Sequence, residues 1–109
     1  YKYNVDIVFN GHAHHYVRTY PIRPVDGNPF GIRDDQQGVV QVITGGGGAQ
    51  LYSDRKDKYN QMYFDSLFAH GEDQRYHFCE ITVSNSSLIL KAKYADGTEF
   101  DRLSIGKRK

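Results

Sequence analysis

The sequence has almost no cysteine, no long apolar run and no excess of charge of one sign, and each shortage removes a class of protein. A single cysteine, Cys79, forms no intramolecular disulfide and builds no Cys-rich zinc site, and it leaves the compartment open. No apolar stretch approaches the roughly 18 residues of a membrane span, and no charged-then-apolar start resembles a signal peptide. With 14 Lys+Arg against 13 Asp+Glu and a formal charge of +1, the chain carries no electrostatic footprint for nucleic acid or an acidic membrane. The basic run Gly106-Lys107-Arg108-Lys109 reads as a solvated tail.

What is present is the balance of a globular domain, or of a piece of one: 109 residues, 39% hydrophobic and 25% charged. The chain opens on Tyr1-Lys2-Tyr3-Asn4 without an initiator Met and runs almost at once into an apolar stretch, so it reads as a fragment. Val5 to Phe9 is a short β-branched run ending in the turn signal Asn10-Gly11, the pattern of a strand buried on both faces in an α/β sheet. His12 to Tyr20 reads as a loop leaving that strand, because Pro21 and Pro24 argue against a central strand. Val25 to Gln37 reads as a surface excursion.

Gly38 to Thr44 makes a second buried strand that stops in Gly45-Gly46-Gly47-Gly48. Four glycines permit positive φ and close approach of the chain to something else. No Gly-Lys-Ser/Thr ending follows, which excludes a P-loop and favours a tight loop beside a site. Ala49 to Arg75 reads as a long insertion, with one apolar patch at Met62, Tyr63, Phe64, Leu67 and Phe68. From Tyr76 the pattern is an antiparallel meander: Cys79, Ile81 and Val83 share a face, as do Leu88, Leu90, Ala92 and Tyr94, and then Leu103 and Ile105. Ser84 to Ser87 turns the chain once, and Asp96-Gly97 predicts a type I′ turn.

Chemistry concentrates at Gly11-His12-Ala13-His14. An extended backbone sends residues i and i+2 to one side, so His12 and His14 are expected to aim at one small volume with Ala13 turned away. Neutral imidazole ligates zinc, iron or manganese, and ligands gather at the carboxyl ends of strands in open α/β sheets. By itself the pattern leaves metal binding and two hydrogen-bonded loop histidines equally open. His15, pointing away from His14, reads as a rim or structural residue. His77 and Cys79 read as a core or sheet-face pair rather than as zinc ligands. His70 and the pair Asp34-Asp35 read as solvated, most of the nine Tyr as strand residues, and Asn85-Ser86-Ser87 fits both a glycosylation sequon and a hairpin turn.

The stretch from Val5 to Pro21, a strand followed by Gly11-His12-Ala13-His14-His15-Tyr16-Val17-Arg18, resembles the last signature of calcineurin-like metallophosphoesterases of the purple acid phosphatase type. The resemblance continues through Val40 to Ala49 and the meander from Tyr76 to Ile105. It implies the strand-rich, C-terminal part of an α/β sandwich, a phosphate-ester substrate, and two metal ions (Fe, Zn or Mn) that activate a bound water for in-line attack. His12 and His14 would each take one metal, with Tyr16 and Arg18 bracing the loop or lining the substrate rim; for Arg18 an ion pair is favoured over a phosphate contact. Val17 stands where the family often has Glu. The family's other ligands belong upstream of residue 1, so the partner implied first is the rest of the catalytic domain, and the chain alone is expected to be inactive. The resemblance leans towards a secreted or periplasmic location.

Three other readings compete. Cupins want an acid where Arg18 and Thr19 stand, and amidohydrolases need a barrel well beyond this length. A non-catalytic, β-rich binding module with incidental histidines remains the alternative from another class.

Overall fold

The computed structural model describes residues 1–51 and 67–107. Residues 52–66, with Met62, Tyr63 and Phe64 of the expected insertion, lie outside the described residues. The described chain is built of strands: β1 (Ile7–Asn10), β2 (Tyr16–Thr19), β3 (Ile22–Val25), β4 (Asn28–Arg33), β5 (Val40–Thr44), β6 (Phe68–Asp73), β7 (His77–Val83), β8 (Ser87–Tyr94) and β9 (Glu99–Gly106). They form a mixed sheet in the order β1-β5-β2-β6, a ribbon β3-β4 and an antiparallel sheet β7-β8-β9. The strand-rich expectation is met, while no element among the described residues corresponds to the flanking helices of an α/β sandwich. No helix among the described residues is long and apolar enough to cross a membrane.

In the mixed sheet β1 and β5 run parallel, with Ile7 opposite Val40 and Asn10 opposite Ile43. Val40 and Val42 on β5 point into the core while Gln41 faces outward, the two-residue period of a strand. β1 departs from its expected burial. Among the described residues it has one neighbour, β5, and leaves Val8 and Phe9 39% and 38% exposed. An apolar parallel strand is buried only where other layers cover both of its faces, and the described residues do not supply them.

The segment expected as a loop contains the most buried strand of that sheet. β2 lies between β5 and β6, and Tyr16, Val17 and Thr19 are all buried. The prolines do not prevent this, because Pro21 follows the strand and Pro24 sits in the separate β3-β4 ribbon. No ladder hydrogen bond in the mixed sheet is lost to them. The expected excursion from Val25 to Gln37 is mostly that ribbon, turned at Asp26-Gly27 with Val25 opposite Asn28. Asp34 is more than solvated: its carboxylate accepts the Gln36 and Gln37 amides at 3.0 Å each and pairs with Arg23 at 3.3 Å. Asp35 pairs with Arg33 at 2.7 Å in the open, where such a bridge adds little. The end of the expected insertion is β6, which pairs with β2.

The meander follows the sequence pattern. Cys79 faces Ala92, Ile81 faces Leu90 and Val83 faces Leu88, while Leu90 and Leu88 face Leu103 and Ile105. The second turn differs from the expected type I′. Gly97 donates to the Tyr94 carbonyl at 2.8 Å and Tyr94 donates to Thr98 at 2.8 Å, so Ala95, Asp96 and Gly97 make a three-residue loop. Only Gly97 is left-handed there, at φ 93°, whereas a type I′ turn needs two such residues.

The two larger sheets close on each other. Tyr16, Val40 and Val42 pack with Leu90 and Ala92, and Ile7, Cys79, Leu88, Phe100, Leu103 and Ile105 extend the cluster. Leu90 is fully buried at its centre. Leu90→Ala should cost about 2–5 kcal/mol, the range for a buried Leu→Ala cavity, read from the urea midpoint. A loss under about 1 kcal/mol would mean that the sheets do not meet through this side chain.

Candidate functional site

Because β1 and β5 are parallel neighbours, the chain leaves both at the same edge of the sheet, and the two following loops meet there. The first, Gly11 to His15, is not extended. Ala13 donates to the Gly11 carbonyl and His15 to the Ala13 carbonyl, each at 2.9 Å, and His12 is left-handed at φ 71°. Successive tight turns therefore replace the extended strand-end from which a common direction for His12 and His14 was expected. His12 is exposed and His14 half-buried. The Nδ1 of His14 lies 2.8 Å from the Gln50 carbonyl of the second loop. A carbonyl only accepts, so Nδ1 carries the hydrogen and Nε2 of the neutral ring keeps the lone pair. A histidine with one N–H tied to a backbone carbonyl is oriented as metal-ligating histidines are. His15 is 1% exposed and belongs to the interior.

The glycine run passes beneath this turn. Gly45 donates to the His15 carbonyl at 3.1 Å, and a Cβ on Gly45 would fall inside the Ala13 carbonyl oxygen. A Cβ on Gly46 would lie 2.6 Å from the His77 ring, whose own amide donates to the Gly46 carbonyl at 3.1 Å. None of the four glycines has positive φ. Gly45 and Gly46 serve close approach, whereas a Cβ on Gly47 or Gly48 would meet nothing within 4 Å, and the part of the expectation that invoked left-handed backbone does not hold. His77 is buried and holds this floor in place. Its Nδ1 donates to the Arg75 carbonyl at 3.0 Å, so Nε2 accepts from the Thr44 hydroxyl at 2.8 Å, and that hydroxyl lies 3.4 Å from the Cys79 sulfur. Burial pushes the Cys79 thiol up, against the Thr44 hydrogen bond. Among the described residues no three His, Cys, Asp or Glu side chains form a metal-holding group.

Strand β2 carries the loop's other end, and Asp101 holds it to the meander. The Tyr16 hydroxyl donates to Asp101 Oδ2 at 2.6 Å, and Arg18 donates Nε to Oδ2 at 2.7 Å and Nη2 to Oδ1 at 3.0 Å. The Arg18 and Asp101 side chains are 13% and 8% exposed, so this is a largely desolvated, bidentate pair. Burial alone would raise the Asp101 carboxyl, but the hydrogen bonds from Arg18 and Tyr16 and the Arg18 charge outweigh it and hold the carboxyl below the usual range. Burial, helped by the same carboxylate, pushes the Tyr16 phenol up, so it remains a donor. His70, expected in solvent, packs edge-on to Tyr16 at 5.4 Å between ring centroids and lies 3.8 Å from Asp73.

Comparison with known proteins adds relatives by sequence. A protein of Arabidopsis thaliana named probable inactive purple acid phosphatase 1 is 33% identical over 97% of this chain and 17% of its own length. A nucleotide pyrophosphatase/phosphodiesterase of Hordeum vulgare is 32% identical over 95% of this chain and 28% of its own length. Probable inactive purple acid phosphatase 27 of Arabidopsis thaliana is 33% identical over 95% of this chain and 17% of its own length. These likenesses relate the chain to phosphoesterases. The chain spans between 17% and 28% of the length of these three relatives. No family model matches it, and no solved structure does.

Asp101 is the residue that sequence reasoning missed, although a signal was there. It lies in phase with Leu103 and Ile105 on the inner face of β9, opposite Ala92, and a charge at a core-facing position demands a partner. Asp101→Asn leaves Arg18 buried without its counter-charge and should cost about 3–5 kcal/mol at neutral pH. The carboxyl is depressed on folding, so its contribution is complete above its unfolded pKa of about 3.9 and disappears as pH falls through the lower folded value. Stability of the D101N protein should therefore lack that part of the acid loss, measured by urea unfolding at pH 7 and at pH 3; an unchanged acid slope would refute the assignment. Gly45→Ala should displace the histidine turn, read as a change in the His12 and His14 ring proton shifts, and unchanged spectra would show that the loop yields freely.

Proposed function

We propose that this chain is the C-terminal segment of a single metallophosphoesterase catalytic domain, calcineurin-like and of purple acid phosphatase type, and that His12 and His14 are ligands of its two-metal centre for hydrolysis of phosphate esters. The observation that carries the reading is the pairing of the histidine turn with the glycine loop at the carboxyl ends of two parallel strands, where the Gln50 carbonyl orients the His14 ring. The phosphoesterase names of the sequence relatives support it. The residues present fit part of such a site: two imidazoles suit zinc, iron or manganese. Bound metals would supply Lewis-acid polarisation and a water of lowered pKa. The remaining ligands are then provided by chain outside these residues, and the exposed apolar strand β1 is where that part of an α/β sandwich would adjoin. Arg18, whose Nε and Nη2 both donate to Asp101, is assigned to bracing the loop rather than to phosphate.

A second reading has its own support, since two of the relatives described are named probable inactive. In that reading the full-length protein binds phosphate-bearing ligands without turnover, or serves as a binding module in which the histidines are incidental.

The full-length protein should hydrolyse a chromogenic phosphate ester, whereas this segment alone should not. His12→Ala and His14→Ala should each lose activity and bound metal, measured by elemental analysis. Unchanged metal content in both variants would overturn the ligand assignment; metal retention by the unaltered protein without hydrolysis would favour the inactive reading.

A further inference from the structure

Asn10 is followed by glycine, whereas Asn4, Asn28, Asn60 and Asn85 are followed by Val, Pro, Gln and Ser. The difference is chemical. An asparagine carboxamide is open to attack by the main-chain nitrogen of the next residue, and a glycine there has no Cβ to hinder the approach and the widest choice of backbone angles. Such a step needs a carboxamide that is not held, an N–H that is not held, and room to close a ring. The end of β1 provides all three. Asn10 is exposed and is the last residue of the strand. Among the described residues its carboxamide enters no hydrogen bond and the Gly11 amide donates to no carbonyl. A Cβ built on Gly11 would meet nothing within 4 Å, so the space beside this peptide is open.

Asn28 and Asn85 lack this combination. The Asn28 side chain accepts the Phe30 amide at 2.9 Å, and the residue after it is a proline, which has no N–H. Asn85 precedes Ser86, whose amide donates to the Ser84 hydroxyl at 3.3 Å. The position of Asn10 gives the chemistry a consequence. Gly11 joins it to His12, whose left-handed backbone at φ 71° belongs to the histidine turn. A change in the charge or length of the chain at Asn10 therefore reaches that turn through a single residue.

We propose that Asn10-Gly11 is a site of spontaneous deamidation that alters the entry to the histidine turn. The Gly11 amide nitrogen loses its proton to hydroxide and bonds to the Asn10 Cγ, closing a five-membered succinimide. The Cγ–Nδ2 bond breaks, its electron pair leaves with the nitrogen, and a proton from water completes the departing ammonia. A further water opens the ring at one of its two carbonyls and leaves an aspartyl or an isoaspartyl residue at position 10. Either product adds a negative charge, and the isoaspartyl form also inserts a methylene into the main chain ahead of His12. The assignment is independent of the phosphoesterase reading. It is tested on the full-length protein, kept folded at mildly alkaline pH and sampled over time by peptide mass spectrometry. The Asn10 peptide should gain the mass of an amide-to-acid conversion while the Asn4, Asn28, Asn60 and Asn85 peptides lag far behind. Protein isoaspartyl methyltransferase should label the aged protein, and N10Q should remove that label. G11A, which the open space beside Gly11 accommodates, should slow the conversion strongly. The deamidated fraction, isolated by ion exchange, should show shifted His12 and His14 ring protons. An Asn10 peptide that changes no faster than the other asparagine peptides, conversion only after unfolding in urea, or an equal rate in G11A would overturn the proposal, and unchanged ring shifts would overturn its link to the turn.

Discussion

A carboxylate on the inner face of β9 ties the two larger sheets of this molecule together next to its histidine turn. Asp101 receives the Tyr16 hydroxyl and two bonds from Arg18, all from β2. β2 is the strand that follows the turn directly and separates β5 from β6. Ion pairs of this kind cost desolvation as well as supplying attraction, so their value lies as much in geometry as in energy. In this molecule the geometry is a fixed start for β2, two residues beyond His14. The apolar cluster around Leu90 brings the sheets together, and the polar clamp sets their relative position at this end.

Around that clamp the remaining contacts form a stack of supports. His77, bonded to Thr44 and to the Arg75 carbonyl, lies under Gly46. Gly45 in turn lies under Ala13, between the two candidate ligands. A side chain on Gly45 would collide with the Ala13 backbone and one on Gly46 with the His77 ring, so these two glycines act as a spacer of minimum thickness between a buried imidazole and the backbone of the histidine turn. The Tyr16 ring meets His70, His77 and Phe100 edge-on at 5.0–5.4 Å, and such contacts add packing energy without requiring charge. The proposed metal-binding role for the histidines would draw on these supports, because ligands held by structure need less ordering when a metal binds.

The fold also bears on why the chain reads as part of something larger. β1 has the composition of an internal strand, yet among the described residues it has a neighbour on one side only and leaves Val8 and Phe9 partly in water. The relatives are several times longer than the stretch they share with this chain. Both observations fit a segment whose apolar edge is completed elsewhere, which is how the proposed catalytic centre would also be completed.

Local patterns were legible from sequence. Alternation through β7, β8 and β9 set the meander and its facing pairs, the valines of β5 marked a buried strand, and strand followed by Gly-His-x-His marked the turn that meets the glycine loop. These rest on short-range rules, since a strand's period and a turn's residues act within a few positions. Tertiary structure alone decided the rest. Pro21 and Pro24 made β2 look like a loop, but they lie outside the sheet that buries it. Ala95 added a third residue to the loop at Asp96-Gly97 and changed its type. The direction of His12 and His14 depends on turns packed against Gly45, and the partner of Arg18 stands 83 residues away. Contacts over such separations depend on how whole sheets meet, and no local pattern encodes that.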